Sequence, residues 1–200
     1  HHLVCGGSCC FDRYGGSVVI TALLAAFIHR QDQLSGLTMP LPLPPLRLTG
    51  ATILRDGALQ QRSIAFADGK ITRGPLPEVD LTGYLVLPGI IDLHGDGFER
   101  HMVPRPSAPF PIESGLASFD REAAAHGVTT AYLAQGWSWE GGHRGADYAE
   151  AVMQALDGYR GQSLTDLRLQ IRAETHQVDD AQRLIEAVRR HRVGYVVFND

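Results

Sequence analysis

Two hundred residues leave room for one domain, or for one domain and a small lobe. An apolar share of 44% and a charged share of 20% are ordinary for a soluble globular chain. A net charge of −4, with no run of Lys or Arg, argues against nucleic acid as the main partner, while leaving room for a local basic channel suited to a polyanionic small substrate.

The first 38 residues read as a leader. Cys5, Cys9 and Cys10 are the only cysteines, and no Cys or His cluster follows to complete a soft-metal site. A disulfide framework would spread its cysteines through the fold, so the body reads as cytoplasmic. The apolar run from Val18 to Ile28 is far too short to span a bilayer and lacks a clean cleavage site after it. Met39 looks like a natural start. Residues 1–38 are therefore expected to be non-native or disordered, with a short helical or targeting segment as the alternative.

Residues 39–84 read as a small antiparallel β lobe. The stretch from Met39 to Leu46 is proline-rich and extended. Strands are expected from Leu46 to Leu54, Ser63 to Ala67 and Lys70 to Arg73. Asp56-Gly57 and Asp68-Gly69 supply the hairpin turns.

From residue 85 to 200 strands alternate with helices. A strand from Leu85 to Leu93, broken at Pro88-Gly89, leads to a helix from Ile112 to His126, with Gly127 as its C′ residue. A strand from Val128 to Leu133 is followed by a helix from Ala146 to Tyr159, by the spacing of Tyr148, Val152, Ala155 and Leu156. A strand from Leu167 to Glu174 precedes a helix that Asp179 caps and that runs to about Arg192, with Leu184, Ile185 and Val188 on its apolar face. Tyr195 to Phe198 is the last strand. Such alternation implies a parallel sheet. The expected fold is α/β: a partial TIM-like (β/α) barrel, about four of eight units, preceded by the β lobe.

The chemistry gathers at strand ends. His94 and Asp96, two residues apart after an apolar strand, share a face that in a barrel points into the active site. Imidazole plus carboxylate suits Zn²⁺, Mn²⁺ or Fe²⁺. A hydrogen-bonded His–Asp pair at a polar strand end is the competing reading. Gly95 and Gly97 permit close backbone approach, and Asp92 alternates onto the same face as His94. Arg168, Gln170, Arg172, Glu174 and His176 form one polar row, opposite Leu167, Leu169, Ile171 and Ala173. The apolar row is expected against helices and the polar row inside the barrel, with Glu174 near its catalytic end. A solvated surface strand is the alternative. Arg105, stiffened between Pro104 and Pro106, suits phosphate oxygens. Arg100 and His101 lie nearby. The Gly-rich loop Gly136 to Gly145 carries Trp137 and Trp139, suited equally to stacking on a base or covering a barrel mouth. His126, His143 and His191 read as structural or exposed.

The stretch LVLPGIIDLHGD from Leu85, behind a small β lobe, resembles the amidohydrolase superfamily, whose usual motif there is HxH. The change to His94-x-Asp96, the GFERHMVPRP that follows, AAAHGVTTA at 123–131 and LRLQIRAETH at 167–176 resemble one branch. That branch hydrolyses α-D-ribose 1-methylphosphonate 5-triphosphate to the 5-phosphate and pyrophosphate in the carbon–phosphorus lyase pathway. The resemblance runs from about Leu46 to Asp200.

It implies a divalent metal, zinc first with manganese or iron as alternatives, as one or two ions. His94 and Asp96 would hold one metal, with Glu174 bridging or serving the same site. Arg105 and Arg172 would bind substrate phosphate, and Asp92 and His176 would support the ligands without touching the ion. The general base is expected beyond Asp200, so this chain alone is expected to be inactive. The expected partner is a small phosphorylated substrate, with no nucleic acid and no membrane; a homo-oligomer is also allowed. Two other readings compete: an amidohydrolase acting on an amide such as an N-acetyl amino sugar phosphate, and a non-catalytic barrel remnant.

Overall fold

A computed structural model describes residues 43–105 and 108–199. The leader, its three cysteines and the start of the proline-rich stretch lie outside the described residues, as does Pro106. The chain divides into two compact units, His1–Pro88 and Gly89–Asp200.

The first unit holds two small sheets. Strands β1 (Leu46–Thr49), β2 (Thr52–Arg55), β3 (Ala58–Gln61), β4 (Ile64–Ala67), β5 (Lys70–Thr72), β6 (Glu78–Asp80) and β7 (Leu85–Val86) are arranged as β5-β4-β1-β6 and β3-β2-β7. The expected hairpins are antiparallel, with β2 against β3 and β4 against β5. Asp56, Gly57, Asp68 and Gly69 all have positive φ, as two-residue primed turns require. Two pairings are parallel instead, β1 with β6 and β2 with β7.

The expected strand from Leu46 to Leu54 is really two strands in different sheets. Gly50 divides them at φ +72°, and a Cβ there would run into the Thr82 hydroxyl and sit 2.7 Å from Asp80 Oδ1.

The second unit is a parallel sheet, in the order β11-β10-β9-β8, with helices packed on one face. It comprises β8 (Ile90–Gly95), α1 (Glu99–Met102), α2 (Ile112–Ala125), β9 (Val128–Trp137), α3 (Ala146–Tyr159), β10 (Asp166–Glu174), α4 (Ala181–Arg190) and β11 (Tyr195–Asn199). Every strand pairing within it is parallel. The partial TIM-like barrel expected from the sequence is the observed architecture.

The two faces of β10 separate as its alternation predicts. Leu167, Leu169, Ile171 and Ala173 are buried with Leu133 and Trp137 of β9, Leu116 and Phe119 of α2, and Val152, Met153 and Leu156 of α3. Arg168, Gln170, Arg172 and Glu174 take the other face. The sheet is strongly curled. β8 and β11 are three strand spacings apart, about 14 Å on a flat sheet, yet the Tyr195 hydroxyl of β11 reaches the Leu93 carbonyl of β8.

The strand expected from Leu85 to Leu93 is two, β7 pairing with β2 in the first unit and β8 running on to Gly95 in the second, and the ends of β9 and of the last helix also shift. β9 continues four residues past Leu133, through Ala134, Gln135, Gly136 and Trp137, because pairing with β10 supplies what the weak strand preference of Ala134 and Gly136 does not. The last helix starts at Ala181 with Asp180, not Asp179, at its N-cap. Neither carboxylate caps it; that of Asp180 accepts the Gln177 side-chain amide at 2.9 Å. No helix among the described residues is long and apolar enough to cross a membrane.

Candidate active site

The polar face of the parallel sheet carries the site. At the C-terminal end of β8 the chain turns straight into a 3₁₀ turn, Asp96–Phe98, so His94 and Asp96 stand side by side. His94 Nε2 is 3.4 Å from Asp96 Oδ2. The His94 backbone N–H donates to Asp92 Oδ1 at 3.0 Å, which folds the Asp92 carboxylate back under the strand end. Gly95 makes room for it, since a Cβ there would lie 3.0 Å from Asp92 Oδ2 and 3.2 Å from the Tyr132 carbonyl. Gly97 has open space where a Cβ would be, so close approach explains the first glycine and not the second.

β10 supplies the other wall. Arg172 Nη1 donates to Asp96 Oδ1 at 3.3 Å. Gln170, fully buried, places its Oε1 2.8 Å from His94 Nδ1. The Tyr195 hydroxyl, from β11, lies 3.2 Å from the same Oε1 and shares its single proton between that oxygen and the Leu93 carbonyl. Burial raises the Tyr195 hydroxyl above the ordinary tyrosine range, and the nearby charges of Tyr132 and Asp92 act in the same direction. Tyr195 is therefore a neutral donor at physiological pH.

Crossing from β8 to β10 means passing over β9. The β9 residues in register with Gln170 and Arg172 are Ala134 and Gly136. Ala134 is small and fully buried between the two walls, whereas a Cβ at Gly136 would lie 3.2 Å from the Arg144 carbonyl.

The remaining sequence candidates fall in different places. Glu174 does not join His94 and Asp96. Its Oε2 lies 3.6 Å from His176 Nε2 and accepts the Trp139 backbone N–H at 3.4 Å. Among the described residues no three or more His, Cys, Asp or Glu side chains cluster as a metal-binding group. The donor set that fits an ion is thus the His94–Asp96 pair. Their separation is close to that of two ligands on one tetrahedral ion at bond lengths of about 2.0–2.1 Å.

Arg105 is exposed and forms no ion pair with a described residue. Arg100 and His101 of α1 turn away from the site and meet Glu122 of α2. Trp137 is neither a stacking platform nor a cover: it is buried in the core, with the Arg183 guanidinium 5.6 Å from its ring. Trp139 is exposed beside Glu174. His126 bonds the Glu122 carbonyl and His191 bonds Asp157, both as structural ties.

Gln170 and Tyr195 are site residues that the sequence did not single out. Gln170 was visible only as one member of the polar row, and Tyr195 only as the first residue of a strand.

No protein-family model matches the chain. Over 132 residues the chain is 31% identical to the α-D-ribose 1-methylphosphonate 5-triphosphate diphosphatase of Escherichia coli (strain K12), covering 64% of this chain and 33% of that protein. The chain thus spans about a third of that relative's length. The resemblance read from the His94–Asp96 region is to this kind of protein. A solved structure of the L-hydantoinase (dihydropyrimidinase) from Arthrobacter aurescens aligns over 77% of this chain and 32% of its own, with a TM-score of 0.45 and 14% identity.

Proposed function

We propose that the chain carries part of the active site of a metal-dependent hydrolase acting on a phosphorylated small molecule. The observation that carries this reading is the His94–Asp96 pair at the C-terminal end of a parallel strand, with the Arg172 guanidinium against Asp96. Barrel enzymes place their chemistry at that end of the strands. The similarity to a triphosphate diphosphatase supports a ribosyl methylphosphonate 5-triphosphate as the substrate, cleaved to the 5-phosphate and pyrophosphate.

A divalent ion held by His94 and Asp96 would activate water and polarise a phosphoryl oxygen. The chain's own residues prepare the place. Asp92 fixes the backbone of His94. Arg172 holds one oxygen of Asp96, leaving the other toward His94, and keeps a cation beside the pair for a phosphate oxygen. Arg105 supplies a second, exposed guanidinium for the polyphosphate. Glu174, paired here with His176, would join as a further ligand once that contact is exchanged for the ion.

The test is a zinc- and manganese-loaded assay of the full-length protein on ribosyl triphosphates and on N-acetyl amino sugar phosphates, with metal analysis. Pyrophosphate release lost in His94→Ala and Asp96→Asn supports the reading. Acetate release instead would turn it toward an amide hydrolase. Absence of bound metal in the unaltered protein would turn it toward a non-catalytic barrel.

A further inference from the structure

Gln170 is costly where it stands. It is fully buried, and its Nε2 has no hydrogen-bond partner among the described residues. An unsatisfied buried amide is unfavourable, and a leucine would fill the same place without one. The expense is confined to the nitrogen. The oxygen of the same amide takes two contacts, His94 Nδ1 at 2.8 Å and the Tyr195 hydroxyl at 3.2 Å. Tyr195 in turn touches the Leu93 carbonyl, one residue before His94. Leu93, Tyr195, Gln170 and His94 thus close a ring of polar contacts joining β8, β10 and β11 around one imidazole.

We infer that Gln170 is a positioning residue that fixes the tautomer and ring orientation of His94. The opposite orientation of the Gln170 amide would place the proton on the other ring nitrogen, and the tautomer tells the two apart. With the amide oxygen turned toward His94, a carbonyl oxygen only accepts, so the nitrogen facing it carries the proton. Nδ1 is then the N–H, and Nε2 keeps its lone pair on the side of Asp96, 3.4 Å away. Metal-binding histidines commonly have the second nitrogen engaged in this way, and the partner is more often a carboxylate or a backbone carbonyl. Here a side-chain amide does it without adding a charge, and Tyr195 holds that amide in place. This role rests on the metal-site reading of His94 and Asp96, but it makes its own statement about a metal-free imidazole.

Long-range ¹H–¹⁵N spectra of the metal-free chain read the tautomer directly. The His94 signals are assigned by their loss in His94→Gln. The expected result is a proton on Nδ1, the form that a histidine in water disfavours. Gln170→Leu should return the ring to the Nε2–H form, and Gln170→Glu, which keeps an acceptor, should restore Nδ1–H. Zinc affinity, measured by chelator competition, should weaken about 10- to 100-fold in Gln170→Leu and recover in Gln170→Glu.

A wild-type ring protonated on Nε2 overturns the inference, as does an unchanged zinc affinity in Gln170→Leu. Should Gln170→Leu fail to fold, the wild-type spectrum and Tyr195→Phe, which loosens the amide without emptying its place, decide it. A wild-type chain that holds Nδ1–H but binds no zinc would sink the metal reading and leave the positioning role standing.

Discussion

Among the described residues, the buried Asp120 side chain accepts four hydrogen bonds. It is fully buried on α2. Its two oxygens accept from the Tyr159 hydroxyl at 3.0 Å, Leu164 N at 2.7 Å, Thr165 N at 2.9 Å and Thr165 Oγ1 at 2.6 Å. One carboxylate therefore pins the start of β10 and the end of α3 to α2. Asp120→Ala strands those donors, and the expected loss is on the order of 3 kcal/mol or more, read from urea unfolding.

Tyr159 responds to the same neighbour. Burial, then the charge of Asp120 and the hydrogen bond to it, push the Tyr159 hydroxyl up to about 12. A raised folded-state value means that the stabilisation is complete below the unfolded value near 10. It drains away as pH rises toward 12, because the unfolded chain releases its proton first. The urea midpoint should fall between pH 10 and 12, and Tyr159→Phe should flatten that fall in part, since Tyr148 and Tyr195 are shifted the same way. None of this was legible in the sequence. Asp120 and Tyr159 are 39 positions apart, and each reads as an ordinary helix residue.

The scale of elements shows what patterning reveals and what it hides. The strict alternation along β10 fixed its two faces, and Asp-Gly pairs fixed two hairpins, because both signals lie within a few consecutive residues. The split of the first strand did not show, because the clash that requires glycine at position 50 comes from Thr82 and Asp80, some thirty residues on. Gly50→Ala should therefore destabilise the first unit by about 1–3 kcal/mol through strain at positive φ, measurable by thermal unfolding.

The site was half legible for the same reason. His94 and Asp96 announce themselves by spacing, whereas Gln170 acquires its role only when the curl of the sheet brings it to His94 across 76 residues of chain. The end of β9 was read short because Ala134 and Gly136 are poor strand formers, yet the smallness of Ala134, in register with Gln170, suits the crossing to His94. Ala134→Leu should push Gln170 and His94 apart. Zinc affinity is expected to drop about tenfold or more, while circular dichroism shows the fold retained.

At the scale of the whole molecule, the parallel sheet has two outer strands without neighbours among the described residues. They are not polar. Ile91 and Leu93 of β8 are 60% and 59% exposed, and Phe198 of β11 is 70% exposed. Apolar outer strands with free backbone groups are templates for association. The chain should associate with rising concentration in sedimentation runs, and Ile91→Lys with Leu93→Lys should shift it toward the monomer.

The ring of contacts around His94 also sets an order in time. Tyr195 follows Leu93 by 102 residues. At ribosomal speeds, about 5–20 residues per second, β8 waits roughly 5–20 s for the strand whose hydroxyl completes the ring. Until Gln170 and then Tyr195 emerge, the imidazole stands in an incomplete ring of contacts. Its final alignment is thus one of the last events in the birth of this part of the chain, and an ion that arrives before it meets a histidine not yet committed to either nitrogen.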